Sequence, residues 1–263
     1  MESLLTLSDL KKIYPNGNLA VNGIDLKIPR GEIFGLLGPN GAGKTTTIRM
    51  ITGALWPTSG TVFFKGQDIW RVSGKTARAV KRSMGYLPER PVMFQKLTPV
   101  EFLTFIGELY ARDDSGIRYT IEKYLDYFGL LERQNEFLEK FSAGMRKKVA
   151  TIAAIIGEPD IVLLDEPFSD LDPESIFRMK ELIRDLKQEG KAVVVSTHFL
   201  GLASELIDRL GIIHQGKLLF CGREAELRSK LKQSDGVSLE TLFLHLTGSK
   251  IVAGGENKGR NRN

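Results

Sequence analysis

The sequence predicts an α/β fold built on a mostly parallel sheet, with a helical insertion part-way along the chain. Three observations carry that prediction. The runs 33–37, 161–164 and 192–196 are short and almost wholly apolar, as strands buried on both faces of a parallel sheet should be. Helical spacing separates such runs, most clearly in the amphipathic stretch Pro173 to Gln188, which closes before Gly190. Alternation of this kind calls for right-handed crossovers. The first run leads into Gly38-Pro39-Asn40-Gly41-Ala42-Gly43-Lys44-Thr45-Thr46, a G-x-x-x-x-G-K-[ST] loop set between a strand and a helix.

Taken in order, Ser3 to Leu7 and Ile24 to Ile28 read as alternating strands, with Tyr14 between them. The turn Pro29-Arg30-Gly31-Glu32 closes the second. Residues 46–51 continue the glycine-rich loop as a helix. After the turn-rich stretch 53–60, Thr61 to Phe64 and Met84 to Leu87 read as further strands. The period then changes. Phe102, Phe105, Ile106 and Leu109 recur at helical spacing after a Thr98-Pro99 start, as do Ile121, Tyr124, Leu125 and Phe128. Ser142 to Ile156 is a third helix with Ser142 as its N-cap. Residues 91–157 are therefore expected to form the insertion. Short strands near Gly211 to Phe220 finish the core. A helical tail from Glu224 to Leu246 precedes a Gly-, Lys- and Asn-rich end expected to be disordered.

The glycine-rich loop dictates the first chemistry. Glycines let the backbone wrap a polyphosphate with its N–H groups pointing inward. The helix N-terminus adds partial positive charge where the anion sits. Lys44 is placed for the β- and γ-phosphates and the Thr45 hydroxyl for Mg²⁺. A glycine-rich turn that binds nothing has no use for a Lys-Thr pair in register with strand and helix, so the chain is expected to bind a nucleoside triphosphate. Asp165-Glu166 ends the run 161–164, and strand C-termini line the ligand crevice of a doubly wound sheet. The two acids divide into roles. Asp165 would hold Mg²⁺, directly or through water, and Glu166 would polarise the water attacking the γ-phosphate.

Composition narrows the class. At 263 residues the chain can bury a full core, and 42% hydrophobic with 26% charged residues is ordinary for a soluble globular protein. No apolar run nears the roughly 18 residues of a membrane helix. Met1-Glu2-Ser3 lacks the basic and apolar regions of a secretory leader. The single cysteine, Cys221, forms no internal disulfide, which fits a reducing compartment. The net charge of +5 would suit anionic lipid or nucleic acid, but part of the excess lies in 250–263, and no nucleic-acid partner is expected. No Cys/His spacing points to zinc. His198 follows a core strand and is placed to donate to a γ-phosphate, whereas His214 and His245 read as structural or surface residues. The runs Lys75 to Arg82 and Arg146-Lys147-Lys148 read as solvated helix faces.

The phosphate loop, Asp165-Glu166-Pro167 and Ser142-Ala143-Gly144-Met145 together resemble the ATPase subunit of ATP-binding-cassette (ABC) transporters. Ser169-Asp170-Leu171-Asp172 is similar to that family's D-loop, Ser196-Thr197-His198 to its switch histidine, and Tyr14 to the aromatic that stacks on adenine. These motifs stand in family order from about Leu4 to Gln215. The resemblance implies a P-loop NTPase (RecA-like) core with a mostly parallel sheet, an antiparallel β subdomain and an inserted helical subdomain. The core would comprise 1–90 and 158–222, the helical subdomain 91–157, a C-terminal extension 223–249 and the tail 250–263. ATP and Mg²⁺ are the implied cofactors. Glu166 and His198 would act in hydrolysis to ADP and phosphate, and Thr45, Asp165 and Glu89 would serve the metal. Ser142 and the Gly144 N–H would hold the γ-phosphate of an opposite subunit, in a homodimer or a heterodimer with a similar ATPase. A separate membrane-spanning permease would hold the pair at the cytoplasmic face of the cell membrane.

Two departures bear on this. Ala143 and Met145 stand where the signature Ser-Gly-Gly-Gln has glycine and glutamine, and Glu89 stands where the Q-loop has glutamine. Glu89 and the tail from Val237 to Gly248 resemble exporter ATPases of the drug, antibiotic and polysaccharide type, which implies export. The tail's apolar spacing (Leu239, Leu242, Phe243, Leu246) equally suits a helix packed on the core. In the family a cytoplasmic helix of the membrane subunit docks beside the Q-loop. Here Pro91, Val92, Met93, Phe94 and Leu97 form an apolar cluster there, to be read as a docking surface or as core. A soluble ATP switch of the same superfamily, of DNA-repair or translation type, is the alternative. Against it, 94–157 is too short for a long coiled coil and only one phosphate loop is present.

Overall fold

The computed structural model describes residues 3–110, 114–234 and 236–247; the tail 250–263 lies outside the described residues. β1 (Ser3–Ile13) and β2 (Leu19–Pro29) pair antiparallel and run well beyond the stretches that alternation picks out. Their register shifts between Leu7 and Leu10, where Asp9 has φ of 42°. A bulge of this kind breaks the two-residue period and hides the strand's continuity from pattern reading. Tyr14 sits in the connecting turn, its N–H donating to the Asn18 carbonyl at 2.9 Å.

β3 (Ile33–Leu37) and α1 (Lys44–Ile51) flank the glycine-rich loop. β4 (Ser59–Phe64) returns to pair with β1, and β5 (Gln67–Asp68) completes an antiparallel sheet of order β2-β1-β4-β5. α2 (Gly74–Arg82) turns Lys75, Arg78, Lys81 and Arg82 to solvent, as the charge pattern predicts. After β6 (Met84–Leu87) come three helices: α3 (Pro99–Leu109), α4 (Asp114–Tyr127) and α5 (Ala143–Ile155). Thr98 and Glu101 cap α3 reciprocally, and the Ser142 hydroxyl caps α5 by accepting from Met145 N–H.

β7 (Ile161–Asp165), α6 (Pro173–Gln188), β8 (Ala192–Thr197), α7 (Leu200–Ser204), β9 (Arg209–His214) and β10 (Lys217–Gly222) complete the core. The sheet order is β10-β9-β3-β8-β7-β6, parallel from β9 to β6 with β10 antiparallel at the edge. β3, β7 and β8 are buried at every residue, so their unalternating apolar sequences follow from having helices or a second sheet on both faces. On one face, Phe102, Ile121, Leu125 and Phe128 of the insertion join Val162, Leu164, Val193 and Val195 in a single cluster. On the other, Leu5, Val21 and Val62 pack against Phe34, Ile161 and Leu163. The helical insertion thus shares its core with the parallel sheet.

The tail is not one helix. α8 (Glu224–Leu231) ends at Lys232, which has φ of 54°, and α9 (Leu239–Thr247) starts afresh. The polar stretch Lys232-Gln233-Ser234 has no apolar side to bury, and a left-handed residue terminates the ladder. Leu239 and Leu242 are buried with Leu210, Ile212 and Leu227, so the apolar spacing of the tail serves packing. Among the described residues no helix is long and apolar enough to cross a membrane.

Candidate functional site

The glycine-rich loop is shaped by close approach. A Cβ on Gly38 would lie 2.3 Å from the Ile213 carbonyl oxygen, and one on Gly43, which has φ of +109°, 2.4 Å from that of Ala20. Only glycine fits either position. α1 begins directly at Lys44, with no acid in its first turn and no side chain capping it. The orphan N–H groups of that turn therefore open towards the loop. Lys44 is buried, its Nζ donating to Gly38 O at 2.8 Å and lying 3.4 Å from Glu166 Oε1.

The parallel pairing of β7 with β8 brings the two acids to their partners. Asp165 lies opposite Ser196 in register, and its Oδ1 accepts from the Ser196 hydroxyl. Its Oδ2 is buried and has no hydrogen-bond partner among the described residues. Burial pushes the Asp165 carboxyl up from the usual carboxylate range, against the pull of the Ser196 and Thr45 hydroxyls. Glu166 is buried too, with its backbone in the left-handed region at φ of 50°. Its carboxylate accepts from Thr197 Oγ1 at 2.9 Å and from His198 N–H at 3.1 Å, and His198 Nδ1 lies 2.9 Å from Oε1. Phe199 packs against the His198 ring with centroids 4.0 Å apart.

Tyr14, the loop residues 40–46, Glu89 and Glu166 line one cavity of about 400 Å³, so residues spread over much of the sequence converge. Glu89 is exposed at its rim, and the Tyr14 hydroxyl is 3.3 Å from Thr46 Oγ1. Asn18 and Ala20 also line it. They went unnoticed because neither a lone asparagine nor an alanine carries a sequence signal. His198 joins the cavity indirectly, through Glu166. His214 packs edge-on to Phe243 with centroids 6.4 Å apart, well within a structural role.

Ser142, Ala143, Gly144 and Met145 do not line this cavity. They form the exposed start of α5, with Ser142 and Ala143 open to solvent. Gly144 abuts the D-loop-like turn 169–172: a Cβ there would lie 2.4 Å from Asp170 O. Met145 Sδ faces Arg133 Nη1 at 3.1 Å. Asp172 caps α6, accepting from Ser175 N–H and Oγ, which lowers its pKa to about 2.

The run Arg146-Lys147-Lys148 is not a solvated face. Lys147 is 1% exposed, its Nζ donating to the Glu166 carbonyl at 2.8 Å and to Ser169 Oγ. Arg146 donates to Phe141 O, and Lys148 Nζ lies 3.7 Å from Asp172 Oδ2. Helical spacing carried the warning: Lys147 shares its stripe with the buried Ala150, Thr151 and Ala154.

A second cavity, of about 680 Å³, lies between α2 and β6 on one side and α3 and α5 on the other. Pro91, Val92 and Met93 line it with Phe102, Ile106 and Leu109. Val92 and Phe94 are 94% and 60% exposed, whereas Leu97 packs into the core cluster. The apolar run 91–97 is therefore divided between surface and interior.

A polar cavity at the C-terminal edge of a parallel sheet, with a glycine-rich loop, a helix N-terminus, a buried lysine and a buried glutamate that follows a second buried acid, defines a P-loop nucleoside-triphosphate-binding protein. The sequence model of a family described as ABC transporter matches residues 21–169. The linearmycin resistance ATP-binding protein LnrL of Bacillus subtilis (strain 168) is 35% identical over 228 residues, covering 87% of this chain and 72% of its own length. The daunorubicin/doxorubicin resistance ATP-binding protein DrrA of Streptomyces peucetius is 35% identical over 246 residues, covering 94% of this chain and 72% of its own. A solved structure, described as that of the ATP binding subunit of an ABC transporter, superposes with a TM-score of 0.86 at 31% identity, covering 93% of this chain and all of that one. The chain belongs to the ABC transporter family, as one of its ATP-binding ATPase subunits.

Proposed function

We propose that two copies of this chain, or one copy and a close relative, close around two ATP molecules and drive a separate membrane-spanning subunit in export. One observation carries the reading. The chain holds a phosphate-loop cavity on one face and, elsewhere, an exposed helix start at Ser142 and Ala143 that its own cavity does not use. The start of α5 supplies N–H groups and positive dipole for a phosphate, and a mate's γ-phosphate is the occupant that completes both faces.

Within the cavity, Tyr14 stacks on adenine, and Lys44 with the N–H groups of 40–46 holds the phosphates. Glu166 accepts a hydrogen bond from the water that attacks the γ-phosphorus; the bond to the β-γ bridging oxygen breaks, releasing ADP and phosphate. His198, tied through Nδ1 to Glu166 Oε1, offers its other ring nitrogen to the γ-phosphate. Asp165 Oδ2, buried without a partner among the described residues, the Thr45 hydroxyl and Glu89 at the rim are hard oxygen donors suited to Mg²⁺. When bound, the ion neutralises charge on the β- and γ-oxygens.

In this reading 91–157 is the helical subdomain that carries the signature, joined to the core of 1–90 and 158–222, with 223–249 an extension of that core. The cavity of about 680 Å³ between them receives an apolar segment of the permease, with Val92 in its lining and the exposed Phe94 two residues further along the chain. The permease holds the chain at the cytoplasmic face of the cell membrane. Export rests on the relatives named for drug and antibiotic resistance. A soluble ATP switch of the same family would need no such receiver.

Glu166→Gln tests the engine. It keeps the shape but removes the carboxylate charge, so turnover should fall by at least about a hundredfold while ATP binding persists. Light scattering in Mg·ATP should then show more dimer than the wild type does. Wild-type turnover would move the catalytic role elsewhere, and a monomer in Mg·ATP would sink the closing reading.

A further inference from the structure

Lys147 is the most deeply buried cation among the described residues. It is 1% exposed, five residues beyond the Ser142 cap on α5, and points at a turn rather than at a carboxylate. Its Nζ donates to the Glu166 carbonyl at 2.8 Å and to the Ser169 hydroxyl. The Ser169 hydroxyl donates to the same carbonyl at 3.0 Å, and its N–H does so at 3.3 Å. Glu166 itself has φ of 50°, a region that an L-residue with a Cβ disfavours and keeps only where the surroundings over-determine it. Here they do so at both ends. Glu166 N–H donates to Ser196 O at 2.9 Å, and its carbonyl gathers Lys147 and Ser169.

We infer that Lys147 is a positioning residue for ATP hydrolysis: its buried ammonium clamps the Glu166 carbonyl and Ser169, fixing the aim of the Glu166 carboxylate and tying it to the helix that begins at Ser142. The inference rests on the role proposed above for Glu166. A buried ammonium is costly unless hydrogen-bonded, and both acceptors found for this one lie on the turn that follows β7. α5 therefore cannot shift along its axis without either breaking those bonds or carrying the turn with it. The same helix start abuts the D-loop-like turn at Gly144. A phosphate arriving at Ser142 from the opposite subunit thus bears on a helix that also holds, through Lys147, the backbone of the turn carrying Glu166. Burial pushes the Lys147 pKa down, against the pull of Asp170 and Glu166, in keeping with an ammonium that bonds to neutral oxygens.

The test compares Lys147→Met, similar in length but without a donor, with Lys147→Arg, which keeps one. Steady-state ATPase, affinity for a fluorescent ATP analogue and thermal melting are measured on each purified chain. A misaimed carboxylate should cost Lys147→Met at least about tenfold in kcat, with KM and analogue affinity within about threefold of the wild type. Lys147→Arg should recover most of the loss. Lys147→Met in the Glu166→Gln background should still dimerise in Mg·ATP. A folded Lys147→Met with kcat within about twofold of the wild type overturns the inference, as does a loss shared equally by kcat and analogue affinity, the mark of a merely structural lysine. If Lys147→Met does not fold, Lys147→Gln takes its place under the same criteria. Should Glu166→Gln fail to dimerise, the dimer reading falls and the kcat comparison still stands; should it dimerise while Lys147→Met turns over normally, this inference alone falls.

Discussion

The two cavities of this molecule are built on opposite principles. The smaller, about 400 Å³, is polar, and its charged groups are already placed. Lys44 and Glu166 are buried 3.4 Å apart, and Thr197 and His198 hold the carboxylate. The larger, about 680 Å³, has an apolar floor of Met93, Phe102, Ile106 and Leu109, with the cations Arg78, Lys81 and Arg82 along one side. The difference teaches where each draws its function. Folding has met the cost of desolvating the first set of charges, so a phosphate entering there finds donors already gathered and out of water. The second offers mainly apolar area, and area of that kind has value when another element covers it.

Lys44→Ala should break the first cavity and spare the second. A charge-assisted contact of this sort is worth about 1.5–3 kcal/mol, so ATP should bind roughly ten- to a hundredfold more weakly. ATPase should nearly vanish, because the γ-phosphate is misplaced as well. Isothermal titration and a phosphate-release assay measure the two effects, and full activity in a clean preparation would undo the site assignment. Association with membrane partners in the absence of nucleotide should be retained.

Phe94→Asp should instead weaken the exposed apolar surface next to the second cavity and spare the first. Phe94 is 60% exposed and meets Phe105 edge-on with centroids 5.9 Å apart, so a carboxylate there is tolerated by the fold. Losing an interface anchor costs about 2 kcal/mol or more, roughly thirtyfold in partner affinity. Pull-down from native membranes should drop and transport uncouple, while the purified chain still binds ATP. Unchanged pull-down and transport would end the docking role, and loss of folding would make Phe94 core.

Asp172→Ala sharpens the contrast from outside both cavities. Removing this α6 cap should cost about 1 kcal/mol of stability, seen as a lower denaturation midpoint. The native pKa of Asp172, about 2, lies below its ordinary value of 3.8. Its stabilisation is therefore complete above about pH 4 and is lost as pH falls towards 2. The stability difference between wild type and Asp172→Ala should shrink over that interval. A difference that stays constant down to pH 2 would show that the carboxylate charge is not what caps the helix.

The sequence by itself determined what depends on a few neighbouring residues. The glycine-rich loop, the buried strand that ends in Asp165-Glu166, the helix start at Thr98-Pro99 and the cap at Ser142 were all legible, because a turn, a cap or a buried strand is specified by the chemistry within a turn or two. Tertiary structure alone decided what depends on distant partners. The register that sets Asp165 opposite Ser196 also brings His198 to Glu166 and assembles Tyr14, Glu89 and the loop around one cavity. The burial of Lys147 was decided the same way. A lysine in a basic run looks solvated until the turn carrying Glu166 and Ser169 supplies its acceptors. Whether a charge is buried depends on what the fold brings to meet it, and that contact spans 19 residues of sequence.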